Sequence, residues 1–193
     1  MKYKIVKNFL SEEQNKQLLE KTLNHKGWKD STIVNSESEY RKSKVVYHLS
    51  NDIISLFEGK IKDVYRGVLP ELDMEDFDIS KIEIQMTSSN NGDFFKVHPD
   101  ADYIRGRGDV KKRKLSFVYY YFNEPKPFTG GDLKIYEFKN DDRTIYDNEK
   151  FETIVPENNM LIFFECDYWH EVEMVNCDPS FENSRFTVNS WIQ

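Results

Sequence analysis

The stretch GDFFKVHPDAD, residues 92–102, places a histidine and an aspartate on either side of a single proline. In an extended strand, residues i and i+2 point to the same face, so His98 and Asp100 project together. Pro99 restricts the residue before it to extended geometry, and it cannot donate a ladder hydrogen bond, which places this strand end at a sheet rim. The pattern predicts half of a metal site; a strand that carries the two residues by chance is the alternative.

The rest of the chain predicts a β core with a helical cover. From residue 79 onward, short runs of β-branched and aromatic residues alternate with clusters of Gly, Pro, Asn and Asp, which is typical of a barrel or sandwich. Residues 1–78 contain a short opening strand and two amphipathic helical patterns, the first of which starts with a capping box of Ser11 and Gln14. We expect one domain over residues 1–193, mainly β, with a helical lead-in and cover (1–78) packed on the core (79–193).

Composition limits the classes of function. The net charge of −7 argues against a protein that wraps nucleic acid. Cys166 and Cys177 are too few for a disulfide scaffold, and no apolar run typical of a signal peptide is apparent at the N-terminus. Reduced thiols and a cytoplasmic location are therefore expected. No apolar run is long enough to cross a bilayer, so no membrane partner is expected.

A third metal ligand is predicted much further along the chain. His170 begins the strand-like run HEVEMV, whereas His25 lies at a predicted helix end and His48 at a strand–helix junction, where structural roles explain them. Two imidazoles and one carboxylate form the facial triad of non-heme Fe(II) oxygenases, which leaves coordination positions open. The candidate ligands are therefore His98, Asp100 and His170.

An arginine on the final strand strengthens this hypothesis. In SRFTVNSWIQ, residues 184–193, the side chains of Arg185, Thr187 and Asn189 share one face. A buried arginine needs an anionic partner, and its planar guanidinium binds a carboxylate through two hydrogen bonds. A dicarboxylate that chelates iron at one end would present its other end to Arg185; a salt bridge at the sheet rim is the alternative.

These segments, in this order, resemble the Fe(II)- and 2-oxoglutarate-dependent dioxygenases, and among them the prolyl 4-hydroxylase-like branch. The resemblance covers residues 79–193 through NGDFFKVHPD, RKLSFVYYYFNEPKPFTGGDL, NNMLIFFECDYWHEV and SRFTVNSW, and the lead-in NFLSEEQNKQLL is also similar. It implies a double-stranded β-helix (jelly-roll) core. It further implies that the predicted triad binds Fe(II), and that Arg185 binds the C5 carboxylate of 2-oxoglutarate with Thr187 nearby.

The resemblance also implies that a tyrosine on the strand after the metal motif shares the C5 carboxylate. Counting back from Asn123 favours Tyr121, with Tyr119 on the same face as the second candidate. Gln85 and Thr87 are candidates for the C1 end of 2-oxoglutarate.

The reaction implied by the resemblance is a hydroxylation. O₂ and 2-oxoglutarate would be consumed, succinate and CO₂ released, and an unactivated C–H bond of a prolyl or other amino-acyl residue in a peptide or protein, or of a free amino acid, converted to an alcohol. Ascorbate is a candidate reductant. Asp100 favours hydroxylation over halogenation, since related halogenases carry a small residue there. The alternatives are a cupin-like metal protein that is not an oxygenase, such as an isomerase or lyase, and a non-catalytic binding module.

A basic segment, residues 105–114, follows the metal motif in this otherwise acidic chain. One interpretation is a solvated hairpin loop. The other is a lid, hinged at Gly106 and Gly108, that recruits an acidic substrate or partner to the pocket mouth. RNA is a weaker third interpretation because the whole chain is acidic. Oligomeric state is not predicted. The basic residues of the segment are Arg105, Arg107, Lys111, Lys112, Arg113 and Lys114.

Overall fold

The computed structural model describes residues 1–31, 40–101 and 108–193, except the side chain of Asp109. Its α-helices are α1 (Glu12–Asn24) and α2 (Asn51–Val68), and short 3₁₀ segments lie at Leu69–Leu72, Gly108–Lys112 and Phe181–Asn183. None of the helices in these ranges is both long and apolar enough to cross a membrane. The strands are β1 (Tyr3–Lys7), β2 (Lys29–Asp30), β3 (Arg41–Lys42), β4 (Lys44–Val46), β5 (Ile82–Ser89), β6 (Phe94–His98), β7 (Leu115–Tyr121), β8 (Phe128–Gly130), β9 (Leu133–Lys139), β10 (Asp142–Ile154), β11 (Met160–Glu165), β12 (His170–Val172), β13 (Val175–Cys177) and β14 (Arg185–Ile192).

The strands form two antiparallel sheets and a short ribbon. The larger sheet has the order β1-β11-β7-β14-β5-β4-β2, the smaller sheet has the order β10-β9-β12-β6-β3, and β8 pairs with β13. Tyr120 of the larger sheet and Ile135 of the smaller one share a buried cluster, so the two sheets face each other. The helices pack on the outer face of the larger sheet. The predicted mainly β core with a helical cover is confirmed.

Alternation along the central strand β7 supplies a core on each face of the larger sheet. Phe117, Tyr119 and Tyr121 belong to the cluster that contains the helices, whereas Val118 and Tyr120 belong to the cluster between the sheets. Burial of each large side chain contributes roughly 1.5–3 kcal/mol of transfer free energy. The inner face of the sheet also borders the cavity described below, so the same alternation positions the core and the site.

Residues 1–78 supply more than a cover. Strand β1 pairs with β11 at one edge of the larger sheet, and β4 and β2 extend its other edge beside β5. Strand β3 pairs with β6, which carries the metal motif. The N-terminal part therefore contributes strands to both sheets as well as the helices.

The start of α1 is fixed locally and by the sheet. The predicted capping box is confirmed: Gln14 N–H donates to Ser11 Oγ at 3.2 Å, and Ser11 N–H donates to Gln14 Oε1 at 3.1 Å. The buried Asn159 then fastens this region to the core, since its Oδ1 accepts from Leu10 N–H and Tyr119 Oη, each at 2.9 Å, and its Nδ2 donates to Leu10 O at 2.8 Å. One asparagine thus joins the helical cover to the central strands.

We expect Asn159→Ala to lower the free energy of unfolding by about 2–4 kcal/mol, because it leaves the buried N–H and C=O groups of Leu10 without their partner. Asn140→Ala is the matched control: Asn140 has φ 55° against 60° for Asn159, but it is exposed. Urea denaturation measures both losses. Equal losses in the two variants would assign the effect to backbone conformation and not to the hydrogen bonds.

Candidate active site

The three predicted metal ligands meet at a cavity between the sheets. His98 ends β6 and His170 begins β12, and the pairing of these strands sets the two residues opposite each other. His98 Nε2 lies 4.0 Å from Asp100 Oδ1, and His170 Nε2 lies 3.6 Å from Asp100 Oδ2. One ligand atom from each residue falls within 4.8 Å of the others. The side chains can therefore converge on a single ion.

Both imidazoles are oriented for coordination through Nε2. His98 Nδ1 lies 2.8 Å from Lys96 O, and His170 Nδ1 lies 2.9 Å from Tyr168 O. A carbonyl can only accept, so Nδ1 carries the proton in each ring and Nε2 keeps its lone pair. Burial, together with the nearby His170, lowers the pKa of His98 to about 3, which favours the neutral form that binds metals.

The carboxylate ligand is kept ionised. Burial raises the pKa of Asp100, but the two histidines and the hydrogen bond from Ser116 outweigh that effect and hold the pKa below its ordinary value. Ser116 Oγ donates to Asp100 Oδ2 at 2.7 Å, which also fixes the orientation of the carboxylate. An oriented carboxylate beside two neutral imidazoles is a donor set that fits Fe(II).

The predicted arginine lines the same cavity. Arg185 is only 3% exposed, and in the described part of the chain it forms no ion pair and its Nε has no hydrogen-bond partner. Its Cζ lies 4.9 Å from the centroid of the Tyr120 ring, and Tyr120 Oη is likewise buried without a partner among the described residues. Burial lowers the pKa of Arg185, although a guanidinium remains charged. Buried donors without acceptors indicate a position for an anion.

A glycine leaves room for this arginine. Gly131 has φ +68°, and a Cβ at this position would lie 2.8 Å from Arg185 Cδ and 2.9 Å from Val175 Cγ2. Any larger residue would have to displace the guanidinium stem. The turn before β9 is therefore shaped around Arg185.

The predicted tyrosines Tyr121 and Tyr119 lie on the opposite face of the sheet from Arg185, and the prediction for them is wrong. Tyr121 Oη lies 2.9 Å from Thr22 Oγ1 in α1, and Tyr119 Oη donates to Asn159 Oδ1 at 2.9 Å. Both hydroxyls thus point into the helical cover, away from the cavity. The prediction failed because it counted strand phase from a loop residue.

Tyr120 is the tyrosine on the correct face. β14 pairs Thr187 with Tyr120, and directly paired residues share a face of a sheet. The sequence carries a signal for this phase: Ser116 is polar in an otherwise apolar strand, and it marks the even-numbered positions as those that face the site. Thr187, as predicted, lines the cavity with Arg185.

The polar residues proposed for the C1 end of 2-oxoglutarate also reach the cavity. Gln85 and Thr87 are buried on β5 and line it, together with Asn189 of β14. Asn189 Nδ2 donates to Thr87 Oγ1 at 2.7 Å, so two of these side chains hold each other in place.

Within the basic segment, Arg113 has a structural role. It forms a two-point ion pair with Glu83, with Nε to Oε1 at 3.0 Å and Nη2 to Oε2 at 2.9 Å. Its Nη1 donates to Asp100 O at 3.1 Å, and its Cζ lies 4.0 Å from the centroid of the Trp191 ring. Arg113 therefore supports the backbone of a predicted metal ligand.

The rest of the basic segment is partly described. Lys111, Lys112 and Lys114 are exposed in or beside the 3₁₀ segment Gly108–Lys112. Arg105, Gly106 and Arg107, which carry the predicted lid, lie outside the described residues.

Comparison with known proteins identifies the class. Residues 84–193 match the model of the 2OG-Fe(II) oxygenase superfamily, and the chain belongs to that superfamily. It is 36% identical over 195 aligned residues to the uncharacterized PKHD-type hydroxylase sll0191 of Synechocystis sp., an alignment that covers 99% of this chain and 63% of that protein. The chain thus spans less than two thirds of the length of this relative.

Solved structures show the same fold. A Pseudomonas putida prolyl-4-hydroxylase aligns with a TM-score of 0.66 and 16% identity, over 99% of this chain and 91% of that one. A prolyl hydroxylase from Trichoplax adhaerens, in complex with a hypoxia-inducible factor oxygen degradation domain peptide fragment, aligns with a TM-score of 0.72 and 16% identity, over 98% and 82%. The predicted double-stranded β-helix is confirmed, and the predicted resemblance to prolyl 4-hydroxylases is confirmed at the level of the fold.

We expect Ser116→Ala to weaken Fe(II) binding about 10-fold, because loss of an outer hydrogen bond to a metal ligand typically has an effect of this size or larger. Ser190→Ala is the matched control, since Ser190 is buried in the neighbouring strand β14 but its Oγ has no partner among the described residues. Anaerobic titration calorimetry with Fe(II) compares the two. Equal affinities would show that Ser116 does not position Asp100.

Proposed function

We propose that this protein is an Fe(II)- and 2-oxoglutarate-dependent dioxygenase that hydroxylates an unactivated C–H bond. Its substrate would be a prolyl or other amino-acyl residue in a peptide or protein, or a free amino acid, with succinate and CO₂ as co-products and ascorbate as a candidate reductant. The observation that carries the proposal is the composition of one cavity. A facial triad lines it together with a buried arginine that has no anionic partner in the described part of the chain.

The residues present fit both cofactors. His98, Asp100 and His170 would hold Fe(II), and Arg185 with Tyr120 would hold the distal carboxylate of 2-oxoglutarate. The Tyr120 hydroxyl and Arg185 Nε support this assignment, because neither has a hydrogen-bond acceptor among the described residues and a carboxylate would satisfy both donors. When bound, the iron and 2-oxoglutarate supply the oxidation of the C–H bond with O₂.

The chain itself contributes orientation and a dry surrounding. Val118, Leu133 and Val172 give the cavity apolar walls, which exclude water from the reacting groups. The Nδ1–H groups of both histidines donate to backbone carbonyl oxygens, so neither ring turns away from the metal position. Ser116 holds the carboxylate of Asp100 in one orientation.

The amino-acyl substrate class is supported by fold similarity to prolyl hydroxylases, one of which was solved with a bound peptide fragment. Both cysteines, Cys166 and Cys177, are free, which is consistent with the cytoplasmic location that we also propose.

Anaerobic addition of Fe(II) and then 2-oxoglutarate tests the proposal. Chelation gives a weak visible charge-transfer band, which we expect in the wild type, abolished in His98→Ala and weakened in Arg185→Ala. A wild type that binds the metal but gives no band with 2-oxoglutarate would be a cupin-like metal protein and not an oxygenase of this type.

We expect Tyr120→Phe to raise the Kd of 2-oxoglutarate about 10-fold, because a hydrogen bond to a charged group contributes about 1.5 kcal/mol or more. Tyr121→Phe is the control: it removes the same hydroxyl from the next residue, whose partner is Thr22 in the helical cover. It should lower the melting temperature and leave the Kd unchanged. A larger rise in Kd for Tyr121→Phe would reverse the assignment of faces. Titration of the charge-transfer band gives both constants.

A further inference from the structure

A second arginine lines the cavity on the side of the smaller sheet. Arg41 lies on β3, partly buried, and its Cζ is 4.6 Å from the centroid of the Phe95 ring. Phe95 in turn stacks on the metal-ligand candidate His98, with ring centroids 3.5 Å apart. One aromatic ring therefore contacts both the guanidinium and the metal site.

Within the described ranges, hydrogen bonds orient the guanidinium of Arg41 but no carboxylate neutralises it. Its Nε donates to Ser43 Oγ at 3.0 Å, and its Nη2 lies 3.5 Å from Thr87 Oγ1, at the limit of a hydrogen bond. Among the described residues, no carboxylate forms an ion pair with it. Burial lowers the pKa of Arg41, but the side chain remains a cation. Among the described residues, most of its five N–H donors therefore have no acceptor and can bind a ligand.

The formal charges expected in the cavity with Fe(II) and 2-oxoglutarate bound cancel without Arg41. Fe(II) brings two positive charges and Arg185 one, while Asp100 brings one negative charge and 2-oxoglutarate two, so these four groups cancel. Asp100 is the only carboxylate among the described residues that line the cavity. When only the described residues are counted, Arg41 would leave one uncompensated positive charge in a poorly solvated space once both cofactors are bound, which is unfavourable.

We propose that Arg41 binds a carboxylate of the primary substrate and selects for substrates that carry one. This assignment depends on the proposed function and specifies its substrate class. A monoanionic carboxylate neutralises the excess charge, and its planar geometry matches the guanidinium, whereas a phosphate dianion would overcompensate it. The carboxylate belongs to a free or C-terminal amino acid, or to an Asp or Glu side chain near the target carbon.

Arg41 is a better candidate for the anion site than Arg113 of the basic segment, because Arg113 is already in an ion pair. Arg113 already has a carboxylate partner, Glu83, at 2.9–3.0 Å. Arg41 faces the cavity and has no carboxylate partner among the described residues.

The test measures binding by calorimetry to the anaerobic Fe(II)·2-oxoglutarate complex. The probes are matched pairs: N-acetyl-L-amino acids with their amides, and N-acetylated, C-amidated Pro-Asp and Pro-Glu with the corresponding Asn and Gln peptides. We expect the acid member of at least one pair to bind 10-fold or more tightly than its neutral partner. The first set reports a terminal carboxylate and the second a side-chain carboxylate.

Two substitutions on one strand assign the preference. Arg41→Gln should remove the difference between acid and neutral probes. Lys42→Gln should retain it, because Lys42 makes the same change of charge at the next residue but is exposed and lies 3.3 Å from Asp93. Arg41→Lys keeps the charge but not the planar guanidinium, so it should retain part of the difference in affinity between acid and neutral probes. It also provides a test if Arg41→Gln does not fold.

The outcomes separate this assignment from the proposed function. No acid preference in any wild-type pair, or a full preference retained in Arg41→Gln, would overturn the role of Arg41 while the charge-transfer band stands. Loss of that band in Arg41→Gln would assign Arg41 to 2-oxoglutarate and also overturn it. A wild type without the band would refute the proposed function, and the role of Arg41 would fall with it.

Discussion

The antiparallel pairing of β12 with β6 is the constraint on which the active site depends. It sets His170 opposite His98. Backbone hydrogen bonds between the two segments continue beyond the strands, since the N–H groups of Asp100 and Ala101 both donate to Cys166 O at 2.9 Å. The segment after one histidine is thus tied to the segment before the other. The three ligands are brought together by backbone hydrogen bonds of the sheet, so a metal ion would bind a site that the fold has already assembled.

The larger sheet supplies the rest of the site because its two faces have different environments. The helices cover the outer face; on the inner face Arg185 and Thr187 line the cavity, and Tyr120 belongs to the buried cluster between the sheets. Side chains alternate between the two faces with a period of two. A register shift of one residue in β14 would bury Arg185 against the helices, and the same shift in β7 would turn its core aromatic side chains into the cavity. The packing of the helical cover therefore also fixes which residues can bind a ligand.

Part of what the sequence predicts here is local, whereas His170 and Arg185 lie far along the chain and were assigned to the site through the facial-triad pattern and the family resemblance. His98 and Asp100 share a face because they are two residues apart, and the capping box of α1 needs only neighbouring residues. The tyrosine was misassigned because three consecutive tyrosines give no contrast in polarity. Which of them faces the cavity has to be deduced from Ser116 or from the pairing with the neighbouring strand. From the sequence, Arg113 is indistinguishable from the other residues of the basic segment. Its partner Glu83 lies 30 positions earlier in the chain, and only the folded sheet brings the two together.

The two arginines of the cavity have opposite relations to water and ligand. Arg185 is almost fully desolvated and has no ion-pair partner among the described residues, so the proposed binding of a carboxylate would offset the cost of a buried cation. Arg41 is only partly buried, and it gains a partner after the first anion is in place. A substrate without a carboxylate would desolvate Arg41 without forming an ion pair that offsets the cost. Selection at this site would then come as much from the penalty on neutral substrates as from attraction to anionic ones.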